Sequence, residues 1–213
     1  MTVVKRPNRR AEKAAETRRR IIQAATELFV EDGYGATNLQ DVADRAGVAV
    51  QTIYFVFGNK RALLKELVDV TIAGDSEPIA TMDRPWFTDA VKAATAGEML
   101  SAYVPGSSAV LQRVSPIMRV LEAAVANDPE VAALWPQDED LRYVVQRAAA
   151  DALVTKPGAR EDLTAENTAD ILYAILSPEL YLLFTRDRAW SHERWLQWAG
   201  ETLRSQLCVT GGA

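Results

Sequence analysis

The chain has 213 residues, 48% of them apolar, enough to fill a sizeable core. No apolar run approaches the ~18 to 20 residues needed to span a bilayer, and the charged N-terminus is not followed by an apolar signal segment, so a cytoplasmic, non-membrane protein is expected. One cysteine, Cys208, and one histidine, His192, exclude an intramolecular disulfide and a Cys/His zinc set. The net charge of -5 conceals a split: residues 1 to 65 carry twelve Lys and Arg against seven Asp and Glu, whereas residues 66 to 213 carry twelve against twenty-two. A basic segment suits a polyanion, because each neutralised phosphate releases condensed counterions, and an acidic one does not.

Residues 1 to about 16 are polar and basic (Lys5, Arg6, Arg9, Arg10, Lys13) without apolar periodicity, and read as an arm merging into a helix. From Thr17 the residues Ile21, Ile22, Ala25, Leu28 and Phe29 recur at helical spacing until Gly33 and Gly35 stop the helix. Thr37 is expected to cap the next helix, with Gln40 closing a capping box, and Leu39, Val42, Ala43 and Ala46 form its apolar face. A turn through Gly47, Val48 and Ala49 leads to a second short helix, Val50 to Phe57, with Ile53 and Phe57 facing inward. Gly58 then breaks the chain, and Asn59 caps a fourth helix from Lys60 to about Gly74.

Residues 75 to 88 read as a connector. Beyond it, helices are expected from about Thr88 to Ala94, Gly97 to Arg113 with a kink at Pro105-Gly106, and Pro116 to Ala126. Others follow from Asp138 to Thr155, Ala165 to Arg186 and His192 to Leu207. Strand patterns are nearly absent. The fold class is therefore all-α, with a domain boundary near residue 60: an N-terminal arm and three-helix helix-turn-helix over 1–60, and a larger helical domain over 61–213, linked by the helix from 60 to 74.

The stretch Thr37-x-Leu39-x-x-Val42-Ala43-x-x-Ala46-Gly47-Val48-x-x-x-Thr52-Ile53-Tyr54-x-x-Phe57-x-x-Lys60-x-x-Leu63 resembles the DNA-binding signature of TetR-family transcriptional regulators. The stretches Asp128-Pro129-Glu130-Val131-Ala132-Ala133-Leu134-Trp135 and Leu176-Ser177-Pro178-Glu179 resemble that family more loosely. The resemblance implies a helix-turn-helix whose second helix enters the major groove of double-stranded DNA, a homodimer on a palindromic operator, and a C-terminal half that binds a small-molecule effector. It assigns Tyr54 and Lys60 to backbone phosphates. By residue chemistry, Gln51 suits an adenine edge, Thr52 a base or phosphate, and Val50 a thymine methyl, while Thr37 is expected at a phosphate as well as at its cap. Where the family often has serine and histidine, this chain has Ala49 and Val56, which makes the reading helix unusually apolar. The outward positions of that helix are expected to be Val50, Gln51, Phe55 and Thr52. Thymine-methyl contact is one explanation of its apolar character; packing against neighbouring helices is the one favoured for Phe55 and Val56.

A short reading helix buries too little surface to be specific alone, so two-fold symmetry is expected. The wide apolar band of Ala165 to Arg186, together with the helix from His192, offers a four-helix dimer bundle, with Ile175, Tyr181, Trp195 and Trp198 as interface residues. Aromatic and Met residues gather in the central helices, including Trp86, Phe87, Met99 and Trp135. Tyr103, Met118 and Tyr143 are the candidates for effector contact, and an apolar pocket there suits a hydrophobic or amphiphilic ligand. No catalytic constellation, phosphate loop, cofactor site or metal site is expected. The rival to a ligand-released repressor is a helical adaptor or orphan paralogue that has lost DNA reading.

Overall fold

The computed structural model describes residues 9–74, 79–134 and 140–209. Lys5, Arg6, the connector over 75–78, Trp135 and Asp138 lie outside the described residues. Those that are described form helices and turns and no strand beyond one isolated bridge between Ala159 and Cys208. They fall into two compact units, one drawn from Met1–Val70 and Ile117–Trp135, the other from Thr71–Pro116 and Pro136–Ala213. The boundary expected near residue 60 thus lies inside a helix, and a later segment joins the N-terminal unit.

The N-terminal unit begins with α1 (Arg9–Glu31), α2 (Leu39–Ala46), α3 (Val50–Phe57) and α4 (Lys60–Ala73), the last crossing the boundary. Helix α1 starts eight residues earlier than its apolar pattern suggests. Its first turns are rich in Ala, Arg, Glu and Lys, which favour helix by propensity even without a buried face. Ile21, Ala25, Phe29, Val42, Ala43, Ile53, Leu63, Leu64 and Leu67 are buried on α1 to α4. The α2 cap belongs to Asn38 rather than to Thr37. The Asn38 side chain accepts from the Asp41 N–H at 3.0 Å, and Asp41 accepts from the Asn38 N–H at 3.1 Å. Asparagine is at least as good a cap, and Thr37 is 3% exposed with its hydroxyl donated to the Gly33 carbonyl at 3.0 Å.

The C-terminal unit contains α5 (Pro85–Val91), the first two-thirds of α6 (Ala96–Asn127), α8 (Leu141–Leu153), α9 (Ala165–Ile175), α10 (Pro178–Leu182) and α11 (His192–Leu207). The end of α6 and the short α7 (Pro129–Ala132) belong to the N-terminal unit. Helix α6 runs unbroken through Pro105 and Pro116, against the expected interruptions. Both prolines are exposed, as are Ser101 and Gln112 four residues before them, so the carbonyls that lose a donor lie on a face water can reach. Gly106 has a different use: a Cβ there would stand 2.4 Å from the Trp86 ring, so glycine admits the indole.

The helix expected over Ala165 to Arg186 is broken. Ser177 caps α10 through the Leu180 N–H at 3.1 Å, Pro178 occupies its first turn, and a π-turn follows over Leu183–Asp187. The core of this unit gathers Phe87, Met99, Leu100, Tyr103, Leu153, Leu172, Trp195, Leu203 and Leu207.

Candidate nucleic-acid interface

The turn between α2 and α3 is built from both sides. Gly47 sits at φ 64°, ψ 45°, a left-handed conformation that costs glycine little, and the Val48 N–H returns to the Ala43 carbonyl at 3.0 Å. The Arg20 guanidinium on α1 donates to the Ala46 carbonyl and, at 3.1 Å, to that of Gly47. A cationic donor is thereby held at the negative end of α2. Ala43 and Ala46 are buried and small, which lets α1, α2 and α3 approach closely. Ile53 and Phe57 anchor α3, and the Arg18 guanidinium lies 4.9 Å from the centre of the Phe57 ring while pairing with Glu66.

With that seam buried, the opposite face of α3 is presented. Gln51 is exposed, Tyr54 is 54% exposed and Phe55 is 91% exposed, whereas Val50, Thr52 and Val56 are half-buried. This corrects the expected packing of Phe55: Ile53 and Phe57 already fill the inward side, and the helix is too narrow to turn Phe55 inward with them.

Beside this face lies an open groove of about 820 Å³, whose walls include Tyr34, Asn38, Tyr54, Asn59, Lys60 and Asn127. Asn59 caps α4, its side chain accepting from the Ala62 N–H at 2.8 Å. The Lys60 ammonium stands 4.2 Å from the centre of the Tyr34 ring. Burial lowers the Lys60 pKa and raises that of Tyr34. Arg61 reaches the end of the groove, donating to Asp128 at 3.0 Å and pairing with Glu130 at 2.6 Å. Its hydrogen bond holds the Asp128 carboxyl below the usual aspartate range. Asp128 also accepts the Glu130 N–H at 3.0 Å, capping α7.

The N-terminal site residues thus divide. Val50, Gln51, Thr52, Tyr54 and Lys60 lie on α3 and the first turn of α4, with Gln51 and Tyr54 outermost; Thr37 is turned into the unit. Asn38, Tyr34, Arg20 and the Arg61–Asp128 pair were not singled out from sequence. Asn38-x-x-Asp41 is a capping-box pattern overlapping Thr37-x-x-Gln40, so Asn38 was legible; the other partners lie 26 to 67 residues apart and carried no local signal.

The remaining candidates are distributed otherwise than expected. Tyr103 is buried in the C-terminal core, where it donates to Gln146 at 2.9 Å and its ring lies 5.9 Å from Phe87; burial raises its phenol pKa. Tyr143 is half-buried against Tyr173, 5.6 Å between ring centres. Met118 belongs to the N-terminal unit, so the three do not form one cluster within a single unit. Of the expected dimer contacts, Trp195 is 0% exposed and Tyr181 is buried, their rings 4.9 Å apart. Side chains already enclosed by their own subunit have no surface to offer a partner, so these two are core residues. Ile175 and Trp198 are half-buried, the latter 4.7 Å from the Phe184 ring.

Residues 21–67 match the family model described as bacterial regulatory proteins, tetR family. Over 61 residues the chain is 44% identical to the HTH-type transcriptional regulator TtgR of Pseudomonas putida, a match covering 29% of each protein. The chain therefore spans less than a third of that relative's length. A tetR-family transcriptional regulator from Mesorhizobium loti shares the fold at a TM-score of 0.63 and 18% identity, over 92% of this chain and 99% of that one. A transcriptional regulator from Saccharomonospora viridis, solved in complex with choline, aligns at a TM-score of 0.67 and 20% identity over 92% of this chain and 100% of that one. These likenesses are to transcriptional regulators and not to enzymes. The segment that carries the end of α1, α2, α3 and most of α4 is thus similar to bacterial regulatory proteins of the tetR family, and the described residues share the fold of solved transcriptional regulators.

Proposed function

We propose that this protein is a cytoplasmic transcriptional repressor that binds a palindromic operator as a homodimer and is released from it by a small hydrophobic or amphiphilic effector. The observation that carries this reading is the outward face of α3, Gln51 with Tyr54 and Phe55, held on a frame tied down by Arg20, Gly47 and the Ile53–Phe57 seam. An eight-residue helix enters a major groove about 12 Å wide. Gln51 offers the amide pair that matches an adenine edge, Thr52 and Val50 flank it, and Tyr54 and Lys60 reach phosphates along the groove wall. Asn38, exposed at the start of α2, takes the phosphate-side role expected of Thr37.

Two-fold pairing supplies the second half-site, through a face that includes Ile175 and Trp198. Effector binding acts by population shift, favouring a spacing of the two heads that misses successive major grooves, which lie about 34 to 36 Å apart. The choline complex of a neighbour with the same fold supports ligand binding in this architecture.

The test is a band-shift titration with DNA from the protein's own promoter at increasing salt, where affinity falls steeply with ionic strength. Tyr54→Ala weakens binding to all sequences. Gln51→Ala relaxes preference at one base pair per half-site, by about 1 to 3 kcal/mol. Unchanged binding in both variants removes α3 as the reading helix.

A further inference from the structure

Phe55 is the most exposed large apolar side chain among the described residues, at 91%. Its position on α3 is set by geometry: at about 100° per residue, Ile53 and Phe57 share the buried direction and Phe55 points roughly 180° away from their mean. Gln51 lies about 40° to one side of Phe55 and one turn earlier, and Thr52 about 60° to the other. Any surface that receives α3 therefore meets Phe55 and Gln51 first. A phenyl ring left in water forgoes the roughly 1.5 to 3 kcal/mol that full burial of such a side chain provides. Within its own subunit it has little to pack against.

Resting on the DNA-reading role proposed for α3, we infer that Phe55 is a specificity-determining residue that recognises the C5-methyl group of a thymine. A phenyl ring has neither donor nor acceptor, so it gains nothing from the carbonyl, amino or ring-nitrogen edges of the bases. Against a phosphate it would strip water from an anion without replacing the hydrogen bonds. The thymine methyl is the one apolar group the major groove displays, and apolar contact with it is a recognised form of base readout. Gln51 and Phe55 are four residues apart, about 6 Å along the helix axis. Base pairs step by about 3.4 Å. The two side chains therefore read positions one or two steps apart, and each half-site carries an adenine for Gln51 and a thymine for Phe55 at that spacing.

The experiment starts from selection of bound duplexes out of a random-sequence DNA library with the full-length protein. In the selected duplex each thymine is replaced in turn by deoxyuridine, which removes only the methyl group. Dissociation constants are then measured for the wild type and for Phe55→Ala, whose folding is checked by circular dichroism. At one thymine per half-site the wild type loses about fourfold in affinity on the uracil duplex, the worth of one buried methyl-sized group. Phe55→Ala loses affinity for the thymine duplex and no longer distinguishes the two. A wild type indifferent to uracil at every position, or a Phe55→Ala protein as methyl-sensitive as the wild type at every thymine, overturns the inference while leaving DNA reading intact. Enrichment of no sequence overturns the proposed function and the inference with it.

Discussion

The two units keep their polar groups in different places. In the N-terminal unit, apart from the buried Thr37, the polar side chains that shape the helix starts sit at the surface: Asn38 with Asp41 across the first turn of α2, and Asn59 with the Ala62 N–H across the first turn of α4. In the C-terminal unit, polar groups lie inside. Tyr103 donates to Gln146, and His192 is hydrogen-bonded to Ser108 at 3.3 Å and to Tyr181 at 3.0 Å. Thr168 Oγ1 and Trp195 Nε1 are buried with no hydrogen-bond partner among the described residues. A buried unpaired polar group costs about 1 to 3 kcal/mol, so the second unit sacrifices stability that the first does not. The contrast teaches that a reading head can be held by exposed caps, one glycine turn and charged side chains at its surface, such as Arg20 on the Gly47 carbonyl and Arg61 on Asp128. The larger unit places hydrogen-bonded side chains such as Tyr103 and Gln146 in its interior.

The largest effect that would test this contrast is expected at Trp195. Trp195→Ala empties the centre of the C-terminal core and should cost about 3 to 5 kcal/mol in chemical denaturation. The loss should be the same at low and high protein concentration; a loss confined to dilute protein would return Trp195 to a subunit interface. Trp195→Phe keeps a ring and removes the unpaired N–H, and its cost should be well below that of alanine.

A smaller effect probes the caps of the N-terminal unit. Asn38→Ala should destabilise by about 1 kcal/mol, the usual worth of an N-cap. Gln40→Ala, on an exposed residue outside the box, should stay within about 0.5 kcal/mol. Thermal unfolding of the pair decides the register, and equal losses would assign the box to Thr37 and Gln40 after all.

The smallest effect concerns the long-range link in the N-terminal unit, where Arg61 holds Asp128. A carboxyl whose folded pKa is depressed contributes stability above its unfolded value and loses it as pH falls through the lower folded one. Between about pH 5 and about pH 3 the wild type should therefore lose stability more steeply than Asp128→Asn, which has no carboxyl to titrate. Parallel curves would mean that the pair contributes nothing to folding, as many solvated ion pairs do.

The legible parts of the molecule share a physical character. The bounds of α3, the start of α4 behind Asn59 and the left-handed turn at Gly47 are decided by residues within four positions of one another, and each follows from the local pattern. The illegible parts depend on which face of a helix meets something else. Pro105 and Pro116 carry strong breaker signals, yet α6 continues because both lie on its wet side. Ser177-Pro178 was readable as a helix start but was hidden inside a long apolar band. Trp195 and Tyr181 were recognised as apolar contacts, although amphipathic spacing does not distinguish a neighbour in the same subunit from one in another.

The sequence by itself determined an all-α chain, the helix-turn-helix with its order and spacing, and the residue types available on α3, because helix periodicity, caps and glycine turns act over a few residues. Only the tertiary structure decided that no neighbouring helix covers Phe55, that Thr37 and Trp195 face inward, and that Arg61 finds Asp128 sixty-seven residues away. Those outcomes follow from competition for a limited interior: once Ile53 and Phe57 occupy the seam beneath α3, the side chain between them is left for whatever the helix binds.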